Sequence, residues 1–185
     1  KWANCEAGDF ATPFIPTGAS QVTRVADAAV IAGANFSSWF NKSEGTFVVE
    51  FEEVKLGGHI LMATDDSGAN SLRVRMLGGV GNLQTNTVIY TGGVNTAQIY
   101  DTTSLNAQIV RLAASYKNGA ISVRSNGGSA ANIYSDSTSI TTPILADRLY
   151  IGSYLGTAAF ANGVIKSIAY YPTRLTNAQL VTLST

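Results

Sequence analysis

From Thr46 onward, apolar side chains recur at every second position. In residues 46–52, Phe47, Val49 and Phe51 fall on one face, and Val48, Glu50 and Glu52 on the other. That is the alternation of a strand buried on one side. Residues 71–76 repeat it, with Leu72, Val74 and Met76 inward and Arg73 and Arg75 outward. Residues 106–116 set Val110, Leu112, Ala114 and Tyr116 against Ile109, Arg111 and Ser115, before a Lys117-Asn118-Gly119 turn into residues 120–124. Asn-Gly between alternating runs predicts a tight hairpin whose two central residues both take positive φ. Shorter strands are predicted at 59–63, 87–90, 98–100, 133–134, 148–151 and 164–171.

Helical spacing is nearly absent. Residues 35–40 predict a short helical turn that buries Phe36, Trp39 and Phe40. Near the end, Thr176-Asn177-Ala178-Gln179 is a capping box, with Leu175 and Leu180 at the staple positions and Pro172 just before. About ten short strands separated by Gly, Asn, Asp and Ser turns predict an all-β fold. The expected architecture is a two-sheet antiparallel β-sandwich with a short C-terminal helix.

Residues 1–23 differ. Two of the four prolines stand in Thr12-Pro13-Phe14-Ile15-Pro16-Thr17, and proline restricts its neighbours and cannot donate to a ladder. This segment is expected to be an extended N-terminal arm from an upstream domain, with residues 24–185 forming the sandwich. The chain opens at Lys1 without an initiator Met or a signal-peptide layout, and so reads as a piece of a longer protein.

Composition narrows the chemistry. Twelve basic and twelve acidic residues cancel, and only 13% of the 185 residues are charged. No electrostatic footprint points to nucleic acid, and no apolar run is long enough for membrane insertion by a helix. Cys5 is the single cysteine, which leaves no intrachain disulfide. His59 is the single histidine, which excludes a two-histidine metal site. No G-x-S-x-G elbow is present, and the Gly78-Gly79-Val80-Gly81-Asn82 stretch lacks the Lys-Ser/Thr of a phosphate loop. It predicts a turn.

Glu50 and Glu52 share a strand face and offer, in principle, a nucleophile and acid pair for glycoside hydrolysis, with Glu53 beside them. A solvated strand face is the expected reading, and no catalytic residue and no cofactor are predicted. Asp65-Asp66-Ser67-Gly68-Ala69-Asn70 is an oxygen-rich hairpin tip. Turn formation explains it, and calcium at Asp65 and Asp66 is the sharper alternative. Eight Tyr, seven Phe and two Trp mostly fill a core, but an exposed ring also meets the apolar face of a sugar. Tyr154, in a predicted loop, is the aromatic expected to be most exposed, followed by Tyr90 and Tyr100. With Asp65, Asp66 and Asn70 to fix hydroxyls, these are the candidate carbohydrate-binding residues.

Residues 6–17 and 22–27, then 36–41 with 44–51, and finally 114–117, 148–152, 162–166 and 170–180 resemble segments of the concanavalin A-like, laminin-G-like jelly-roll domains of bacteriophage tail fibres, tailspikes and capsid decorations. The resemblance covers nearly the whole chain and is carried by a crossover, strands and a capping turn. It implies a non-enzymatic virion module that binds cell-surface carbohydrate, or a purely structural domain that packs against other virion subunits as a homo-oligomer. The implied location is the phage particle surface or tail.

Overall fold

A computed structural model of the chain describes residues 29–52, 56–79, 82–101, 109–125, 134–136 and 143–185. Among them, sheet A runs in the order β1 (Ala29–Ala32), β10 (Arg148–Ile151), β3 (His59–Thr64), β4 (Ser71–Gly79), β5 (Asn82–Thr91) and β6 (Val94–Asp101). Sheet B runs β11 (Val164–Tyr171), β2 (Glu44–Glu52), β7 (Ile109–Lys117), β8 (Ala120–Ser125) and β9 (Tyr134–Asp136). Every pairing is antiparallel.

The two-residue alternation dictates how the sheets stack. Phe47, Val49 and Phe51 of β2, with Leu112 and Tyr116 of β7 and Val123 of β8, form one core with Leu61 and Ala63 of β3, Leu72 and Val74 of β4, and Ile99 of β6. Each large apolar side chain so buried contributes roughly 1.5–3 kcal/mol. In β3 all six residues are buried, so the outer side of that strand is covered as well.

The short helix α1 (Ala34–Ser37) buries Phe36, whose ring stacks at 4.5 Å on that of Phe40 just after the helix, while Trp39 stands half-buried and edge-on to Tyr170 at 5.0 Å. At the other end, the capping box of α2 (Asn177–Leu183) forms as the sequence predicts. The Thr176 hydroxyl accepts from the Gln179 amide at 3.4 Å, and the Gln179 side chain accepts from the Thr176 amide at 2.9 Å. Leu180 is fully buried where α2 packs on β7 and β8. The buried Thr46 hydroxyl sews the approach to α2 onto β2, donating to the Thr173 carbonyl and accepting from the Leu175 amide, each at 3.0 Å. Arg174 donates to the Ser122 hydroxyl at 2.9 Å. The C-terminal segment thereby covers the outer side of sheet B over Thr46 and Ser122, while Glu50, Arg111 and Ile109 on the same side stay partly exposed.

Several expectations change. Strand β1 pairs with β10 and has no counterpart among the predicted strands. At the β7–β8 hairpin only Gly119 takes positive φ, at 82°, and Asn118 does not. The turn is therefore not the form with two left-handed residues. Arg73, expected outward, does project from the outer side but is only 8% exposed. The arm at 1–23, Glu53, Val80, Gly81 and Ile133 lie outside the described residues.

Candidate functional site

Register sets the side chains on the outer side of sheet A in transverse rows. Tyr100, Asn86, Arg75 and His59 form one row across β6, β5, β4 and β3. Gln98, Val88, Arg73, Met62 and Tyr150 form the next, and Tyr90, Ser71, Thr64 and Arg148 a third. The irregularity between His59 and Leu61 keeps His59 opposite Arg75 while Leu61 pairs with Val74. Extra residues of this kind re-aim side chains.

The connection from β10 to β11 folds back over this sheet. The Gly152 amide donates to the Ile60 carbonyl at 2.9 Å, and the His59 amide to the Ala159 carbonyl at 2.9 Å. Tyr154 and Ala158 close a small bridge, with N–O distances of 2.7 and 3.2 Å. Leu155, Ala159 and Asn162 hold φ of 51°, 46° and 47°, a left-handed conformation that costs a side-chain-bearing residue about 1 kcal/mol or more. Packing on sheet A sustains it.

Beneath that loop lies Arg73. Its Cζ is 4.0 Å from the Tyr90 ring centre and 5.0 Å from that of Tyr154. Its Nε donates to the Ser71 hydroxyl and its Nη2 to the Gly68 carbonyl, both at 2.8 Å. Ring faces attract such a cation by about 2 kcal/mol or more once water is removed. Burial draws the guanidinium below its ordinary pKa, and the two tyrosines oppose that shift. Next to it, Arg75 is only half-buried, and its Nε donates to Asn86 Oδ1 at 2.8 Å while Asn86 Nδ2 donates to the Ile99 carbonyl at 3.0 Å.

His59 is 5% exposed, its ring centre is 5.3 Å from that of Tyr154, and neither ring nitrogen has a partner. Burial and the nearby Arg75 and Arg73 lower its pKa to about 4, so the imidazole is neutral at ordinary pH. Toward the sheet edge, Asn95 donates to the Gln98 side chain and Gln98 to the Tyr100 hydroxyl. Tyr100 is 45% exposed. The exposed part of the face is therefore the β6 edge, with Tyr100, Asn95 and the half-buried Gln98, together with the half-buried Arg75 of β4, while Asn86 and Val88 of β5 between them are buried.

Of the residues singled out from sequence, Tyr154, Tyr90 and Tyr100 do share this face. Tyr154, expected to be the most exposed, is only partly so, and Tyr100 presents more ring to solvent. Asp65, Asp66 and Asn70 occupy the β3–β4 hairpin tip. The Asp65 carboxylate accepts from Ser67 at 3.0 Å and Asn70 at 2.7 Å. Burial opposes the change, but those bonds hold its pKa below the usual value. Asn70 also accepts from the Gly92 amide at 3.0 Å, tying this tip to the next turn, and Asp66 pairs with Arg148. Among the described residues no three of His, Cys, Asp and Glu gather into a metal-ligand set. Glu50 and Glu52 lie on the other sheet, each bound to a cation: Glu50 to Arg111 at 3.0 Å and Glu52 to Lys166 at 2.7 Å. Asn86 and Gln98 are the residues of this face that sequence reasoning passes over, while Arg73, Arg75 and His59 are noted there without being assigned to a site. The one available signal is Arg-Val-Arg alternation on a strand otherwise apolar.

No protein-family model and no curated protein sequence matches the chain. Solved structures do. The carbohydrate-binding module CBM40 of the Ruminococcus gnavus IT-sialidase, bound to α2,3-sialyllactose, aligns with a TM-score of 0.63 at 12% identity, over 88% of this chain and 96% of its own. Domains LG4-5 of the mouse laminin α1 chain align at 0.62 and 11% identity, over 83% and 41%. Botulinum neurotoxin type C, whose cell entry depends on two ganglioside molecules, aligns at 0.59 and 8% identity, over 83% and 38%. At such identities the likeness is one of fold: a concanavalin A-like, laminin-G-like jelly-roll β-sandwich.

Proposed function

We propose that this chain is a non-enzymatic carbohydrate-binding module, and that it presents the outer side of sheet A to cell-surface glycan. The observation that carries this is a cluster of one exposed ring, side-chain amides and a guanidinium toward the β6 edge of sheet A: Tyr100 is 45% exposed, Asn95 is exposed, and Gln98 and Arg75 are half-buried near them. Aromatic rings stack on pyranose C–H faces, and amides and guanidinium fix hydroxyls. Similar folds that bind sialyllactose and gangliosides support the same use. The virion setting, as fibre, spike or decoration, rests on the sequence resemblance alone. Each contact strip is shallow, so affinity depends on multiple copies.

The test is a glycan array probed with a multimerised chain. Retention of a defined glycan set is expected, and Tyr100→Ala is expected to weaken it about five- to tenfold with an unchanged thermal midpoint. A folded chain that is silent on the whole array overturns the proposal. A purely structural role, packing on other virion subunits or on copies of itself, is favoured by edge strand β11, where Val164 and Tyr171 are 48% and 36% exposed. Light scattering on the isolated chain separates that role, since it requires self-association or a retained partner subunit.

A further inference from the structure

Two sets of basic side chains on the strands contrast. Arg111, Lys117, Arg148 and Lys166 each pair with a carboxylate: Glu50, Glu44, Asp66 with Asp147, and Glu52. Arg73 and Arg75 pair with none among the described residues, although they stand two positions apart on the same side of β4. The buried Arg73 guanidinium is held by the Tyr90 and Tyr154 side chains, the Ser71 hydroxyl and the Gly68 carbonyl, and keeps its positive charge in a site from which water is largely excluded. Removing a cation from water without a counter-charge is costly. His59 beside them supplies no negative charge, and both its nitrogens are unpartnered. Among the described residues, the face therefore carries two positive charges with no carboxylate partner, in a chain whose formal net charge is zero.

We infer that the glycan bound on this face is anionic, carrying a carboxylate or a sulfate that the free Nη atoms of Arg75 grip while buried Arg73 adds its field from below. The half-buried Arg75 has only its Nε engaged, by Asn86, which fixes the plane of the guanidinium and leaves its terminal N–H groups to form charge-assisted bonds with an acidic group. Tyr100, in the same row, and Gln98, in the next, meet the rest of the sugar. This inference rests on the carbohydrate-binding proposal and specifies the substrate class within it.

The experiment compares matched glycans on one surface: sialyllactose against lactose for the carboxylate, and sulfated against unsulfated lactose for the sulfate, read with the multimerised chain and with Arg75→Gln. An acidic member bound at least about tenfold more tightly than its neutral partner is expected. That preference should shrink as sodium chloride rises and vanish in Arg75→Gln, while Arg75→Lys keeps part of it. The carboxylate and sulfate arms distinguish the two sources of charge. Equal binding of both members, or a preference that Arg75→Gln leaves intact, overturns the inference while glycan binding stands. Silence toward every acidic and neutral glycan by a folded chain overturns both. Should the variant fold poorly, the salt titration of the unsubstituted protein decides, and a preference that salt leaves unchanged overturns the inference.

Discussion

Tyr116 and Tyr170, on the two strands that flank β2, bring their hydroxyl oxygens to 2.9 Å, and Tyr116 also donates to the Asn41 carbonyl at 2.6 Å. Gly45 lies beneath them because nothing larger fits. A Cβ there would stand 2.5 Å from the Tyr170 hydroxyl and 2.7 Å from that of Tyr116. Gly45→Ala must displace both rings and their shared bond, and overpacking of this kind costs about 1–3 kcal/mol. Urea denaturation should show that loss, with an unchanged slope. A variant as stable as the parent would mean that the rings have room to move.

The same pair makes the fold sensitive to alkali. Burial raises the pKa of both phenols; the bond to Tyr170 raises Tyr116 further, while Tyr170 is partly relieved by its bonds to Tyr116 and Asn41. The folded value lies above the ordinary value of about 10, so the stabilisation is complete below that pH and is lost as pH rises beyond it. Ultraviolet titration of phenolate should find Tyr116 ionising only together with unfolding. Tyr116→Phe should reduce the alkaline loss of stability, and a fold indifferent to a pH of about 11 would contradict the assignment.

The parts of this molecule that local chemistry writes are legible in the chain. Phe47, Val49 and Phe51 announce their face by spacing, and Thr176 with Gln179 announces a cap, because both signals act within a few residues. Strand β1 is not legible, since Ala29, Val30, Ile31 and Ala32 alternate nothing and are mostly exposed. Spacing correctly points Arg73 outward, but its burial comes from Tyr154, 81 positions later, on a loop that reaches it only because β10 inserts between β1 and β3. Tyr90 and Tyr154 are each identifiable as unusual aromatics. Their convergence on one guanidinium belongs to topology, which no window of sequence contains.

His59 should make stability fall in mild acid. Its folded pKa of about 4 lies below the ordinary value of 6.5. The unfolded chain therefore binds more protons between those values, and stability rises with pH through that window. It is complete above 6.5 and declines as pH falls toward 4, by roughly 3 kcal/mol if the whole shift is realised. His59→Leu removes the titrating group and an imidazole N–H that lacks a partner. It should be neutral or mildly stabilising near neutral pH and flatten the acid slope. Denaturation midpoints collected at several pH values check this, and an unaltered slope in the variant assigns the acid sensitivity elsewhere.

The two outer faces should respond differently to substitution. Glu50, with Glu52, is the acid pair that a hydrolytic reading of the sequence would use, yet its Oε2 is committed to Arg111 Nε at 3.0 Å on sheet B. Both side chains of that pair are substantially exposed, at 24% and 49%, and exposed ion pairs are worth about 0–1 kcal/mol. Glu50→Gln is accordingly expected to shift stability by no more than that and to leave glycan retention untouched. Substitutions at Tyr100 or Arg75 should act in the opposite sense, sparing the fold and weakening retention. Binding assays and thermal midpoints on these three variants form a crossed comparison. Loss of binding or of any sugar-cleaving turnover in Glu50→Gln would relocate the site to sheet B and restore the paired acids as its chemistry.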